Sequence, residues 1–111
     1  MVDEEDDFPF DEALAATYVG KTILVALTYL THDGQLIRRQ QIHGRIESAT
    51  RQGILIVLDG SDAGEKWNMP PSLDAIRRAG PGVYRLEETG EEIENPDLLS
   101  SWTISKAPPT N

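Results

Sequence analysis

Residues 20–60 read GKTILVALTYLTHDGQLIRRQQIHGRIESATRQGILIVLDG, and this stretch decides the fold. Three apolar runs rich in β-formers, Thr22–Leu30, Leu36–Ala49 and Ile54–Leu58, are separated by two tight turn signals, His32-Asp33-Gly34 and Thr50-Arg51-Gln52-Gly53. An Asp-Gly pair between aliphatic runs is a strong short-range hairpin signal, because glycine accepts the positive φ that such turns demand. The stretch therefore predicts an antiparallel meander. No metal-ligand cluster, nucleophile constellation or phosphate loop interrupts it.

In the first run both parities are apolar: Ile23, Val25, Leu27 and Tyr29 alternate with Leu24, Ala26 and Leu30. A strand of this kind is buried on both sides. With too few helical segments to sandwich a parallel sheet, the expected solution is a curled sheet that closes on itself. The second run has one polar side, with Arg39, Gln41, His43, Arg45 and Glu47 opposite Leu36, Ile42, Gly44 and Ile46. A glycine inside a long strand marks a sharp bend or bulge where a barrel turns a corner, which places the bend at Gly44.

Outward from this core, Phe10, Leu14 and Tyr18 recur every four residues, with Asp11 placed to cap and Gly20 to stop a helix of two turns. Downstream, Lys66–Met69 reads as a fourth strand ended by Pro70-Pro71, and Ser72 as the cap of one helical turn reaching Arg78. Strands are expected at Val83–Leu86, Glu91–Glu94 and Leu99–Ile104. The prediction is a mainly β chain: a small, strongly bent antiparallel barrel of five to seven strands over residues 10–105, opened by one short helix. Residues 1–9 are expected to form a disordered acidic tail and 106–111 a frayed end.

A short helix followed by bent strands, with Ile42-His43-Gly44-Arg45-Ile46 inside the second, resembles the Sm-like small barrel over about residues 10–70. Ile42, Gly44 and Ile46 carry the likeness, matching that family's hydrophobic-x-Gly-x-hydrophobic pattern. Its RNA-reading residues do not carry over. Ala49-Thr50-Arg51-Gln52-Gly53 stands where the family has an Asp and an Asn, and Trp67-Asn68-Met69-Pro70-Pro71 where it has a basic-Gly pair. The resemblance thus implies an architecture more than an RNA-binding activity.

The 111 residues carry a formal charge of −9 and no cysteine. Their distribution says more than the total. Residues 1–12 are acidic without a basic partner, as are 87–98, whereas 13–86 hold nine basic side chains against six acidic ones. A net-negative field opposes binding to nucleic acid or anionic lipid, both of which require charge neutralisation. The acidic N-terminus is the opposite of a signal peptide's basic start, and no apolar run is long enough to span a membrane. A cytoplasmic protein without cofactor or metal is expected.

The residues with chemical potential fall in three groups. Arg39, His43 and Arg45 share a strand face that could hold an anion, or could be a solvated face paired with Glu47 or the acidic hairpin. Glu88, Glu91 and Glu92 mark that hairpin, an anionic surface for a basic protein partner. Trp67 and Trp102 either fill the barrel's ends or, with Met69 and Tyr84, form an interface ridge. Asp59–Glu65 lacks the ligand spacing of a calcium loop, and no acid pair sits where its pKa values would be driven apart. The expectation is a non-catalytic protein-binding module, in the manner of acidic decoys such as bacterial toxin-neutralising proteins. The alternative is an Sm-like RNA-binding or ring-forming protein using Arg38, Arg39, His43 and Arg45.

Overall fold

The computed structural model describes residues 10–60 and 63–107. The acidic run expected to be a tail, and the last four residues of the expected frayed end, lie outside them. No helix among the described residues is long and apolar enough to cross a membrane.

The N-terminal helix α1 spans Glu12–Tyr18, and the Leu14 N–H donates to Asp11 Oδ1 at 3.0 Å, so Asp11 caps it as its side chain predicts. The buried face differs from expectation. Ala15 is buried and Leu14 is 39% exposed, because the seven-residue helix rests on a small contact rather than on a four-residue stripe. The chain leaves α1 through Gly20, whose φ of +86° suits glycine, and is stitched onto the second strand by Gly20 N–H to Ile46 O (2.8 Å) and Ile46 N–H to Lys21 O (3.0 Å).

Among the described residues eight strands follow: β1 (Thr22–Leu30), β2 (Leu36–Thr50), β3 (Gly53–Leu58), β4 (Lys66–Met69), β5 (Ile76–Arg78), β6 (Val83–Arg85), β7 (Glu92–Glu94) and β8 (Leu98–Ser105). Six of them form one sheet in the order β4-β3-β2-β1-β8-β5, while β6 and β7 form a separate ribbon. The meander β1-β2-β3 is antiparallel, as the turns dictate, and the turn at Asp33-Gly34 is closed by Thr31 N–H to Gln35 O at 2.8 Å.

Three expectations are corrected. The sheet does not close into a barrel, since its edge strands β4 and β5 do not pair with each other. It is not wholly antiparallel either: β8 runs parallel to β1, with Ile23 opposite Leu98 and Leu30 opposite Ser105. The helical turn expected to reach Arg78 stops early, as a 3₁₀ turn over Leu73–Ala75 without a Ser72 side-chain cap, and Ile76–Arg78 becomes β5 instead. There Ile76 is buried opposite Ser100, whose hydroxyl donates to Ala75 O at 2.7 Å. Core burial and that hydrogen bond outweigh a three-residue helical preference.

The main core lies on one face of the sheet. Register places Ile23, Val25 and Leu27 of β1 beside Gly44, Ile42 and Gln40 of β2, and Ile46 opposite Ile56 of β3. Val25, Ile54, Ile56 and Met69 are fully buried there. Gly44 is required by proximity: a Cβ at that position would sit 2.8 Å from Val57 C and 2.9 Å from Leu58 Cα. On the reverse face Leu24, Ala26 and Thr28 lie beside His43, Gln41 and Arg39. Leu24 and Leu86 are both buried although neither joins the main cluster. The main-core parity of β1 is buried at Ile23, Val25 and Leu27, whereas on the second parity Leu24 is buried and Ala26, Thr28 and Leu30 are half-buried, so burial on both sides holds only in part.

The starts of the two parallel strands are tied together. Asp97 Oδ2 accepts from both the N–H and the hydroxyl of Thr22 at 3.0 Å, and the Asp97 N–H donates back to Thr22 Oγ1 at 3.0 Å. The Thr22 backbone donor, then its hydroxyl, holds the Asp97 carboxyl below the usual carboxylate range. At the other end, Lys106, expected within the frayed end, donates its N–H to Leu30 O at 2.8 Å and extends the ladder.

Candidate functional site

The turn between β6 and β7 lies against the polar reverse face of β2. Leu86 is buried at its start, and the turn is closed on itself by Leu86 N–H to Glu91 O and Gly90 N–H to Leu86 O, both 2.8 Å. Two contacts join it to the sheet. The Glu87 N–H donates to Gln41 Oε1 at 2.9 Å, and Glu91 Oε2 lies 3.1 Å from His43 Nε2. The side chains of this pair are 31% and 14% exposed, so the contact is partly shielded from water.

A third element reaches the same point. After β3 the chain turns at Asp59-Gly60, with the Asp59 N–H donating to His43 O at 2.8 Å. Gly60 has φ +74°, and a Cβ there would stand 2.6 Å from a Glu91 carboxylate oxygen and 2.7 Å from His43 Nε2. Only glycine satisfies both the backbone conformation and the space. Gln41, His43, Asp59, Glu88 and Glu91 together line a cleft of about 110 Å³, and a neighbouring groove of about 260 Å³ runs between Ala26, Thr28, Arg39 and Glu87-Glu88.

The sequence-predicted residues separate into those gathered here and those placed elsewhere. His43 and Glu91 form a pair, which joins the expected cationic face to the expected acidic hairpin in one site. Arg39 is exposed and lines the groove with Glu88. Arg45, on the same strand parity, points its guanidinium at Gly20 O (Nη1 to O 2.5 Å) and belongs to the helix junction instead. Arg38, on the opposite parity, lies 4.7 Å from the ring centroid of Tyr29, its cross-strand partner. Glu92 pairs with Arg85 at 3.2 Å on the exposed side of the ribbon. Trp67 and Trp102, both half-buried, pack against the main core from β4 and β8, and Met69 is fully buried. Tyr84 donates its hydroxyl to Gly80 O at 2.8 Å.

Gln41 belongs to the strand face that sequence parity had set beside His43, whereas Leu86 and Gly60 were not singled out by sequence reasoning as parts of a site. Leu86 carried the available signal, an aliphatic residue at the mouth of an otherwise acidic turn. Among the described residues no three His, Asp or Glu side chains converge to hold a metal ion. The site offers instead a docked anionic turn, with Glu87 and Glu88 exposed at its tip and Glu92 and Glu94 exposed along β7. Comparison with protein-family models, characterised proteins and solved structures returns no match.

Proposed function

We propose that this chain is a non-catalytic protein-binding module of the cytoplasm, presenting the acidic β6–β7 ribbon to a basic partner. The observation that carries this reading is the way the ribbon is held. Leu86, the Glu87–Gln41 hydrogen bond and the His43–Glu91 contact order the backbone beneath Glu87, Glu88, Glu92 and Glu94 before any partner arrives. Charges on an element already ordered lose less freedom on binding, and a concentrated anionic edge steers a cationic partner during encounter. The ribbon's own ion pair, Arg85–Glu92, has side chains 72% and 56% exposed and is readily exchanged, since exposed pairs contribute only about 0–1 kcal/mol.

The test titrates a synthetic Lys/Arg-rich peptide into the full chain by calorimetry at about 50 and about 150 mM salt, conditions that differ in screening length. Charge reversal at Glu87, Glu88 and Glu92 is expected to weaken binding about tenfold or more, an energy of about 1.4 kcal/mol. The same reversal at the exposed Glu12, Glu65 and Asp74 is expected to weaken it far less. Equal losses from both triple variants would indicate unspecific attraction and sink the proposal.

The alternative, an Sm-like RNA-binding protein, has less support. Of its basic residues, Arg38 is stacked on Tyr29, His43 meets Glu91, Arg45 is engaged by Gly20, and the acidic turn lies beside Arg39. Single-stranded RNA is expected not to bind at about 150 mM salt, where a few phosphate contacts give little net affinity. Sub-micromolar RNA binding lost in Arg39→Glu would favour this alternative.

A further inference from the structure

We propose that the acidic run preceding α1 turns back along that helix and lays Asp3, Glu4 and Glu5 into a cationic groove at the helix's far end. The groove, of about 480 Å³, is lined by Thr17 and Tyr18 from the last turn of α1, by Lys21 just before β1, and by Arg78 of β5 with its cross-strand partner Leu98. Asp97 completes its walls.

The charge of this groove is unbalanced. Among the described residues no ion pair engages Lys21, Arg45 or Arg78. Asp97, the carboxylate among the lining residues, gives Oδ2 to both the N–H and the hydroxyl of Thr22. After those donors, Lys21 and then Arg45 also lower its carboxyl, which places both cations near the groove. Three cations thus stand around one carboxylate that is already engaged.

Charge and tether select the occupant. The whole chain is at −9, a field that repels anions arriving from outside. Asp3, Glu4 and Glu5 need not arrive, because they are joined to the same helix that lines the groove. The described chain begins at Phe10, whose ring centroid lies 5.8 Å from Arg51 Cζ at the opposite end of α1 from the groove. A helix of this length is about 10 Å long, and the extended chain from Glu5 to Phe10 reaches about 17 Å, enough to return along it. Past Glu12 the exposed residues of α1, Ala13, Leu14, Ala16 and Thr17, carry no charge to repel the run.

The tether also sets the strength. A short flexible link holds the run at an effective concentration on the order of 1 mM, so an attraction of only millimolar affinity between separate molecules is half formed within one chain. Exposed ion pairs of this kind are individually weak, and the contact is governed by salt. An occupied groove leaves these cations closed to phosphate-bearing molecules.

The chain has no cysteine, so Glu5→Cys carries a single nitroxide label at a defined place in the run. With the full chain isotope-labelled, paramagnetic broadening of amide signals is expected at residues 17–22, 78 and 97–98 at about 20 mM salt, and is expected to fade at about 500 mM. Inorganic tripolyphosphate is expected to relieve it more than chloride of equal ionic strength does. Arg78→Glu is expected to reduce it by about half or more, with the parent's circular dichroism, since one of three attracting charges is reversed. If Arg78→Glu does not fold, Arg78→Gln and Lys21→Gln carry the test. Broadening confined to residues 10–14 and 50–53, broadening at the groove that withstands salt or tripolyphosphate, or broadening unchanged in a folded Arg78→Glu would each overturn the proposal. So would transfer of the broadening from a spin-labelled chain to a separate isotope-labelled one, which would put a second copy's run in the groove.

Discussion

Glu91 Oε2 stands 3.1 Å from His43 Nε2 across 48 residues of chain, and Gly60 closes over both groups with no room for a Cβ. Three segments remote in sequence thus converge on one partly shielded polar contact. Removing either partner strands the other under the turn. His43→Ala and Glu91→Ala are each expected to destabilise by about 0.5–1.5 kcal/mol, the net range of a single hydrogen bond. In the double variant the losses should fall short of additive, and hydrogen exchange should quicken in the 86–91 turn. Strictly additive losses would mean that the two side chains do not interact.

Gly60 and Gly64 offer an internal comparison. Both have positive φ, +74° and +93°, yet a Cβ at Gly64 meets nothing within 4 Å while one at Gly60 meets the His43–Glu91 pair. Gly64→Ala is expected to cost about 1 kcal/mol from backbone strain alone, and Gly60→Ala about 1–2 kcal/mol more. Chemical denaturation would rank the two. Equal midpoints would show that the loop yields freely.

Gly44 is confined by backbone rather than by side chains, since its absent Cβ would meet Val57 and the Leu58 Cα. Backbone cannot rotate aside as a side chain can. Gly44→Val is therefore expected to destabilise by about 1–3 kcal/mol or more by driving β2 and β3 apart. A variant melting at the parent's temperature would show the strand spacing to be adaptable.

The Thr22–Asp97 contact supplies a pH dependence. Its donors lower the Asp97 carboxyl from the ordinary 3.8 in the folded chain, so the contact stabilises fully above the unfolded value and the benefit fades as pH falls through the folded one. At pH 6 to 7, Asp97→Ala is expected to cost about 0.5–1 kcal/mol, a modest figure because the group is exposed. The gap in melting temperature between parent and variant should be constant down to about pH 5 and shrink below about pH 4. A gap that widens on acidification would reverse the assigned sign.

The two faces of β1 carry the last prediction. Val25 lies in the main core and Leu24 on the reverse face, 0% and 6% exposed. Val25→Asp and Leu24→Asp are both expected to unfold the domain or cost at least about 3 kcal/mol, each burying an unpaired carboxylate. Tolerance of Leu24→Asp would mean that the reverse face of β1 opens to water without loss.

What the sequence determined alone are the features that local chemistry writes. Apolar runs of β-formers set the strands from Thr22 to Leu58, Asp-Gly and Gln-Gly set their turns, Asp11 capped α1, and the two apolar parities of β1 called for cover on both faces. What covers them depends on contacts between distant segments, which no local pattern encodes. Closure into a barrel and the docking of a separate ribbon both satisfy a doubly apolar strand, and Leu86, one aliphatic residue among glutamates, gives too little periodic signal to choose between them. The parallel placement of β8 likewise rests on Asp97 reaching Thr22 across 75 residues. The candidate site follows the same division: parity put Arg39, Gln41 and His43 on one face and composition made 87–94 acidic, but only the tertiary fold brought Glu91 to His43 and took Arg45 away to Gly20, because long-range register decides which charges meet.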